Sequence, residues 1–173
     1  VPMGPGAVNL LLPTRDGLKI TAPGGYNVKA VGFSPRFQIR GDFEITLEFT
    51  ILQRTQPESG YGSGPSIYLS MGSTEDAAAS LSRVLRTDGR DAYGVFAARV
   101  EEGQRIPKAK VIDVPGDPPS KTGRLRLRRM GDEIVYSVAD DYNFEPRPLA
   151  TLPVRADDVT MLRVGLNQSD PQS

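Results

Sequence analysis

Between residues 42 and 51 apolar and polar side chains alternate without a break. Phe43, Ile45, Leu47, Phe49 and Ile51 fall on one phase, and Asp42, Glu44, Thr46, Glu48 and Thr50 on the other. A period of two over ten residues specifies a β-strand with one face in a core and the other in water. A helix would scatter the same apolar residues around its circumference.

Residues 124–139 carry the same alternation twice, on either side of Gly131-Asp132. That dipeptide suits a two-residue type II′ or I′ turn. Setting Met130 opposite Glu133 puts Leu127 opposite Tyr136 and Leu125 opposite Val138, all on one face with Ile134. The other face then carries Arg124, Arg126, Arg128, Val135 and Ser137, with Arg129 beyond the basic stripe. A slip of one residue would destroy this agreement.

Shorter segments predict strands at 17–20, 29–33, 37–40, 66–71, 93–100, 110–114, 144–152 and 159–166. In the last of these, Leu162, Val164 and Leu166 face inward. Segments 56–65 and 115–121 are rich in Gly, Pro and Ser and read as loops. One stretch is ambiguous. Ser73-Thr74-Glu75-Asp76 could cap a helix over 77–85, with Leu81, Val84 and Leu85 at helical spacing. A strand over 79–87 would instead align Leu81, Arg83, Leu85 and Thr87 on one face.

Composition narrows the chemistry. The 173 residues suffice for one domain with its own core, and we find no internal boundary or repeat. The 18 Gly and 15 Pro are spread along the chain and punctuate its short apolar segments, the mark of an all-β chain. Lys plus Arg and Asp plus Glu number 21 each, so no general attraction to nucleic acid is expected. No run approaches the ~20 apolar residues of a membrane helix. With no cysteine and no histidine, disulfides, thiolate or imidazole catalysis and Cys/His metal sites are excluded. Neither a cofactor nor a metal is expected. The opening run Val1-Pro2-Met3-Gly4-Pro5-Gly6 has no basic stretch followed by an apolar one. It reads as a piece of a longer bacterial chain, from which a targeting signal could have been removed.

The order of the segments Gly17-Leu18-Lys19-Ile20, Gly41-Asp42-Phe43-Glu44-Ile45, Thr122-Gly123-Arg124-Leu125-Arg126-Leu127-Arg128-Arg129 and 159–166 resembles a concanavalin A-like domain. Over roughly residues 17–167 the chain is most similar to a set of uncharacterised domains in large planctomycete-type bacterial proteins. The resemblance implies an all-β, antiparallel two-sheet sandwich of the jelly-roll kind, with ligands on a concave face or at the loop rim. It favours a strand over helix for 79–87, and a domain with neighbours in a larger chain. It also implies that strand 42–51 runs beside the last strand, which would set Arg163 on the same face as Glu44 or Glu48. The superfamily includes lectins, carbohydrate-binding modules and glucanases, so fold does not decide function.

The carboxylate motif of the glucanase branch, Glu-x-Asp-x-x-Glu, is absent. Glu44 and Glu48 lie ~13 Å apart along a strand, too far for a glycosidase pair. Asp42 and Glu44 come within the inverting range of about 6.5–9.5 Å and are the weak catalytic candidates, although a solvated charged face accounts for them. Ligand-binding candidates fall in two groups. Arg124, Arg126 and Arg128 could grip an anion or acidic sugar, or pair with an acidic neighbouring strand. Arg86, Asp88, Arg90, Asp91 and Tyr93 could form a rim loop with Tyr93 offering a flat face, or a turn with internal ion pairs. Asp140-Asp141-Tyr142-Asn143 matches no calcium loop and reads as a β-turn. Ser59-Gly60-Tyr61-Gly62-Ser63-Gly64 lacks the Gly-Lys-Ser/Thr of a phosphate loop, leaving Tyr61 as a contact residue in a flexible loop. The expectation is a non-catalytic recognition module for carbohydrate or a protein partner, binding neither nucleic acid nor membrane. The alternatives are a hydrolase with an unrecognised carboxylate pair and a structural spacer.

Overall fold

The computed structural model describes residues 1–4, 6–22, 30–72, 77–116 and 119–167. In chain order its elements are β1 (Pro2–Met3), α1 (Ala7–Leu10), β2 (Leu11–Thr14), β3 (Gly17–Ile20), β4 (Ala30–Phe33), β5 (Phe43–Thr50) and β6 (Gly64–Met71). They continue with β7 (Ala77–Leu85), β8 (Asp91–Glu101), β9 (Gln104–Asp113), β10 (Thr122–Met130), β11 (Glu133–Ala139), β12 (Arg147–Pro153) and β13 (Val159–Asn167). A seven-stranded sheet runs β1-β4-β13-β6-β7-β8-β9, a four-stranded sheet runs β12-β11-β10-β5, and β2-β3 form a separate hairpin. All pairings are antiparallel. The chain is a jelly-roll β-sandwich.

The core lies between the two larger sheets and follows the period-two phases. β6 supplies Ile67, Leu69 and Met71, β7 Ala79 and Leu81, and β8 Tyr93, Val95 and Ala97. From the other sheet come Phe49, Leu125, Leu127, Ile134, Tyr136 and Val138. The β10–β11 hairpin has the expected register, with Leu127 opposite Tyr136 and Leu125 opposite Val138. Gly131 has φ 62 and Asp132 is not among the positive-φ residues, which selects the type II′ turn. Two assignments of faces are corrected. Arg129, opposite Ile134, is the inward residue and is buried, while Met130 at the turn is exposed. Adjacent strand residues point to opposite faces, so Met130 belongs with the arginine stripe.

Residues 77–85 form a strand; the capping segment proposed at 73–76 lies outside the described residues. Almost all of β7 is buried on both faces, which explains why its sequence shows no alternation. Of segment 37–40 only Ile39 bridges another chain segment, at Val159. β9 starts six residues earlier than the sequence implied, and β12 starts at Arg147 with Phe144 exposed before it.

Side chains also tie the sheets together. The Tyr93 hydroxyl donates to Asp140 Oδ1 at 2.6 Å, and Tyr136 donates across the core to the Phe96 carbonyl at 2.9 Å. Two buried arginines close the ends of the sandwich. Arg83 lies 3.8 Å from Asp91, donates to the Ser120 carbonyl and stacks near Phe49. Arg129 donates to the carbonyls of Gly41 and Asp157 and lies 5.0 Å over Phe43.

Candidate functional site

The outward face of the four-stranded sheet carries both charged stripes, and the register explains them together. β5 pairs with β10, so Glu48 stands opposite Arg124, Thr46 opposite Arg126, and Glu44 opposite Arg128. Arg124 Nε contacts Glu48 at 2.8 Å; Arg126 Nε lies 3.4 Å from Glu44 and donates to Thr46 at 3.2 Å. Glu44 and Glu48 therefore belong to a cross-strand charge ladder. Asp42 accepts a hydrogen bond from the Gly131 backbone N–H at 2.8 Å and so holds the hairpin turn. The placement of Arg163 beside this stripe fails: β13 lies in the seven-stranded sheet. The acids instead take their partners from β10.

The second group does not form an open rim. Asp88 receives Arg90 at 3.0 and 2.7 Å, Arg86 approaches Asp88 at 3.3 Å, and both arginines reach Asp113. The Arg90 contacts hold the Asp88 carboxyl below its ordinary range. Asp91 is buried between Arg54 and Arg83. Tyr93 is fully buried and offers no flat face to solvent; burial, then the bond to Asp140, pushes its hydroxyl pKa up. In the 140–143 turn, Asp141 accepts from the Asn143 backbone and side chain and from Thr122, and the first of these holds its carboxyl below the ordinary range. No group of three or more acidic, His or Cys residues is placed to hold a metal ion among the described residues. No described helix is long and apolar enough to cross a membrane.

A different surface collects groups suited to a ligand. On the outward face of the seven-stranded sheet, the register aligns Arg163, Tyr68, Ser80, Phe96 and Ala109 in one row across β13, β6, β7, β8 and β9. Beside it runs Gly32, Gly165, Ser66, Ser82 and Gly94. On the other side run Met161, Ser70, Ala78, Ala98 and Pro107. On β6, β7 and β8 the two half-buried rings are thus flanked by very small residues, most of them buried. Strands ~4.8 Å apart place Tyr68 and Phe96 ~9.6 Å apart, with only Ser80 between them. Arg163 stacks 4.8 Å over the Tyr68 ring and Arg105 5.7 Å over Phe96. At Gly165 the small size is imposed by packing. A Cβ on Gly165 would sit 2.1 Å from the Val31 carbonyl oxygen and 2.6 Å from Gly32 Cα.

Sequence reasoning placed Tyr68 and Phe96 within strands without singling them out. The available signal was phase: each aromatic occupies the outward phase of its strand, among Ser66 and Ser70 in one case and Gly94 and Ala98 in the other.

Solved structures share the architecture. The chain is similar to carbohydrate binding module CBM66 from Bacillus subtilis, at 15% identity and a TM-score of 0.52, covering 92% of this chain and 83% of that one. It is similar to a Bacillus licheniformis beta-glucanase at 12% identity and a TM-score of 0.53, covering 94% and 71%. The enzymatically active domain of bacteriophage CBA120 tailspike protein 2 gives 11% and 0.51, covering 95% of this chain but 24% of that one. Identities this low bear on fold alone. No curated protein matches the sequence. Residues 4–172 match the family described as protein of unknown function (DUF1583) C domain, and the chain belongs to that family.

Proposed function

We propose that this domain is a non-catalytic recognition module that binds a carbohydrate chain laid across the outward face of its seven-stranded sheet. The observation that carries the reading is the Tyr68–Ser80–Phe96 row, two half-buried rings flanked by glycine, alanine and serine. Flat rings with an apolar body suit the faces of sugar rings, and the half-buried Ser80 between them offers a hydroxyl for orientation. Support for binding rather than hydrolysis comes from the carboxylates, since Glu44 and Glu48 each face an arginine of β10. The similarity in fold to a carbohydrate-binding module is consistent with this.

The test is affinity electrophoresis against a panel of soluble polysaccharides, followed by calorimetry on any that retard the protein. Tyr68→Ala and Phe96→Ala should each weaken binding at least about tenfold, a loss of ~1.4 kcal/mol, while circular dichroism stays unchanged. Retention of binding in the double variant would sink the proposal. Hydrolysis that disappears in Asp42→Asn or Glu44→Gln would replace it with an enzyme.

A further inference from the structure

The face just described is not electrically neutral. Arg163 is half-buried, stacks on Tyr68, and has no carboxylate within salt-bridge distance among the described residues. Most other arginines with a named partner in this protein have a carboxylate: Arg124 has Glu48, Arg126 Glu44, Arg90 Asp88 and Arg147 Asp140. The one described acid on the outward phase of these strands is Asp113, at the end of β9, where Arg86 and Arg90 engage it. A second unanswered group lies close by. Ser70, two residues from Tyr68 on the same face, is fully buried and its hydroxyl has no hydrogen-bond partner among the described residues. Partly desolvated charges are ordinarily paired; burial lowers the pKa of Arg163, against the smaller opposing effect of Tyr68.

Building on the carbohydrate reading above, we infer that the ligand is an acidic polysaccharide, one whose sugar carboxylates pair with Arg163 while the sugar rings lie against Tyr68 and Phe96. A guanidinium presents a planar fork that matches a carboxylate with two parallel hydrogen bonds. It is already stacked on the ring that would receive the sugar, so little ordering remains to be done on binding. A neutral glycan would leave this cation partly desolvated and unpaired. An acidic one would answer it.

The experiment compares polygalacturonate oligomers with the same oligomers fully methyl-esterified, which removes the charge and keeps the sugar backbone. Calorimetry at low and high salt, with wild type, Arg163→Met and Arg163→Lys, gives the readout. Thermal melts confirm that each variant is folded. The expected result is at least tenfold preference for the free acid in wild type, a preference that shrinks with salt. Arg163→Met should abolish the preference, bringing acid and ester binding to the same level. Arg163→Lys should keep part of the preference, because it retains charge but not the fork. Equal binding of acid and ester, unaffected by Arg163→Met, would overturn the inference while leaving the carbohydrate reading intact. Binding of neither, with binding of poly-glutamate that depends on Arg163, would overturn both and identify an acidic polypeptide as the partner.

Discussion

The two outward faces of this sandwich are built from the same period-two strands, yet they handle charge in opposite ways. On the four-stranded sheet, Glu48 and Glu44 of β5 pair with Arg124 and Arg126 of β10, and long side chains cover the surface. On the seven-stranded sheet the positions flanking two rings on β6, β7 and β8 are glycine, alanine and serine, and Arg163 lacks an acid among the described residues. A surface that answers its own charges needs nothing from outside. A surface that strips its side chains away and leaves a cation over an aromatic ring is shaped for contact. The lesson is that a conspicuous stripe in the sequence can be the self-sufficient part, and the quiet strands the part to examine.

The largest expected difference between the faces is steric. Gly165→Val should destabilise the domain by more than about 3 kcal/mol, at the upper end for single substitutions, because even a Cβ there meets the backbone of β4. Thr46→Val, at an exposed position on the opposite sheet, should shift stability by no more than about 0.5 kcal/mol. Urea unfolding of both variants measures the contrast, and equal effects would erase it.

A smaller effect tests the ties between the sheets. Burial raises the hydroxyl pKa of both Tyr93 and Tyr136 in the folded protein. Their contribution to stability is therefore complete below the unfolded value of about 10 and is lost as pH rises above it. Each tyrosine should remove about 1.4 kcal/mol per pH unit in that range. Denaturant titrations from pH 9 to 11 should show the decline, and Tyr136→Phe should make it shallower. A slope the same in Tyr136→Phe as in wild type would contradict the buried, protonated hydroxyl.

The smallest effect concerns the charge ladder. A double-mutant cycle on Arg124 and Glu48 should give a coupling of roughly 0.2–1 kcal/mol, falling with salt. Removing both side chains should leave glycan affinity unchanged. Loss of binding in that double variant would transfer the ligand to the four-stranded face.

Much of the fold was legible because strands with one wet face announce themselves. β5 and the β10–β11 hairpin, down to its register, follow from alternation alone. β7 did not, since with both its faces buried the choice between helix and strand had no local answer. β9 was half read because it is an edge strand whose exposed residues, among them Pro107, Lys108 and Lys110, give no apolar phase. Strand order was beyond local pattern, and Arg163 was assigned to the wrong sheet for that reason. The candidate site was hidden by the same limit. Tyr68, Ser80, Phe96 and Arg163 span almost a hundred positions, and only the pairing of four strands brings them into one row.

The two buried arginines have a consequence for how this domain tolerates change. Arg129 is held by the carbonyls of Gly41 and Asp157, and Arg83 by that of Ser120 together with Asp91. A main-chain carbonyl is present whatever residue supplies it. The fastenings at both mouths of the sandwich thus depend largely on the path of the loops and little on their spelling. The side chains of Ser120 and Asp157 serve other contacts, with Thr122 and Arg155, and take no part in holding the two arginines.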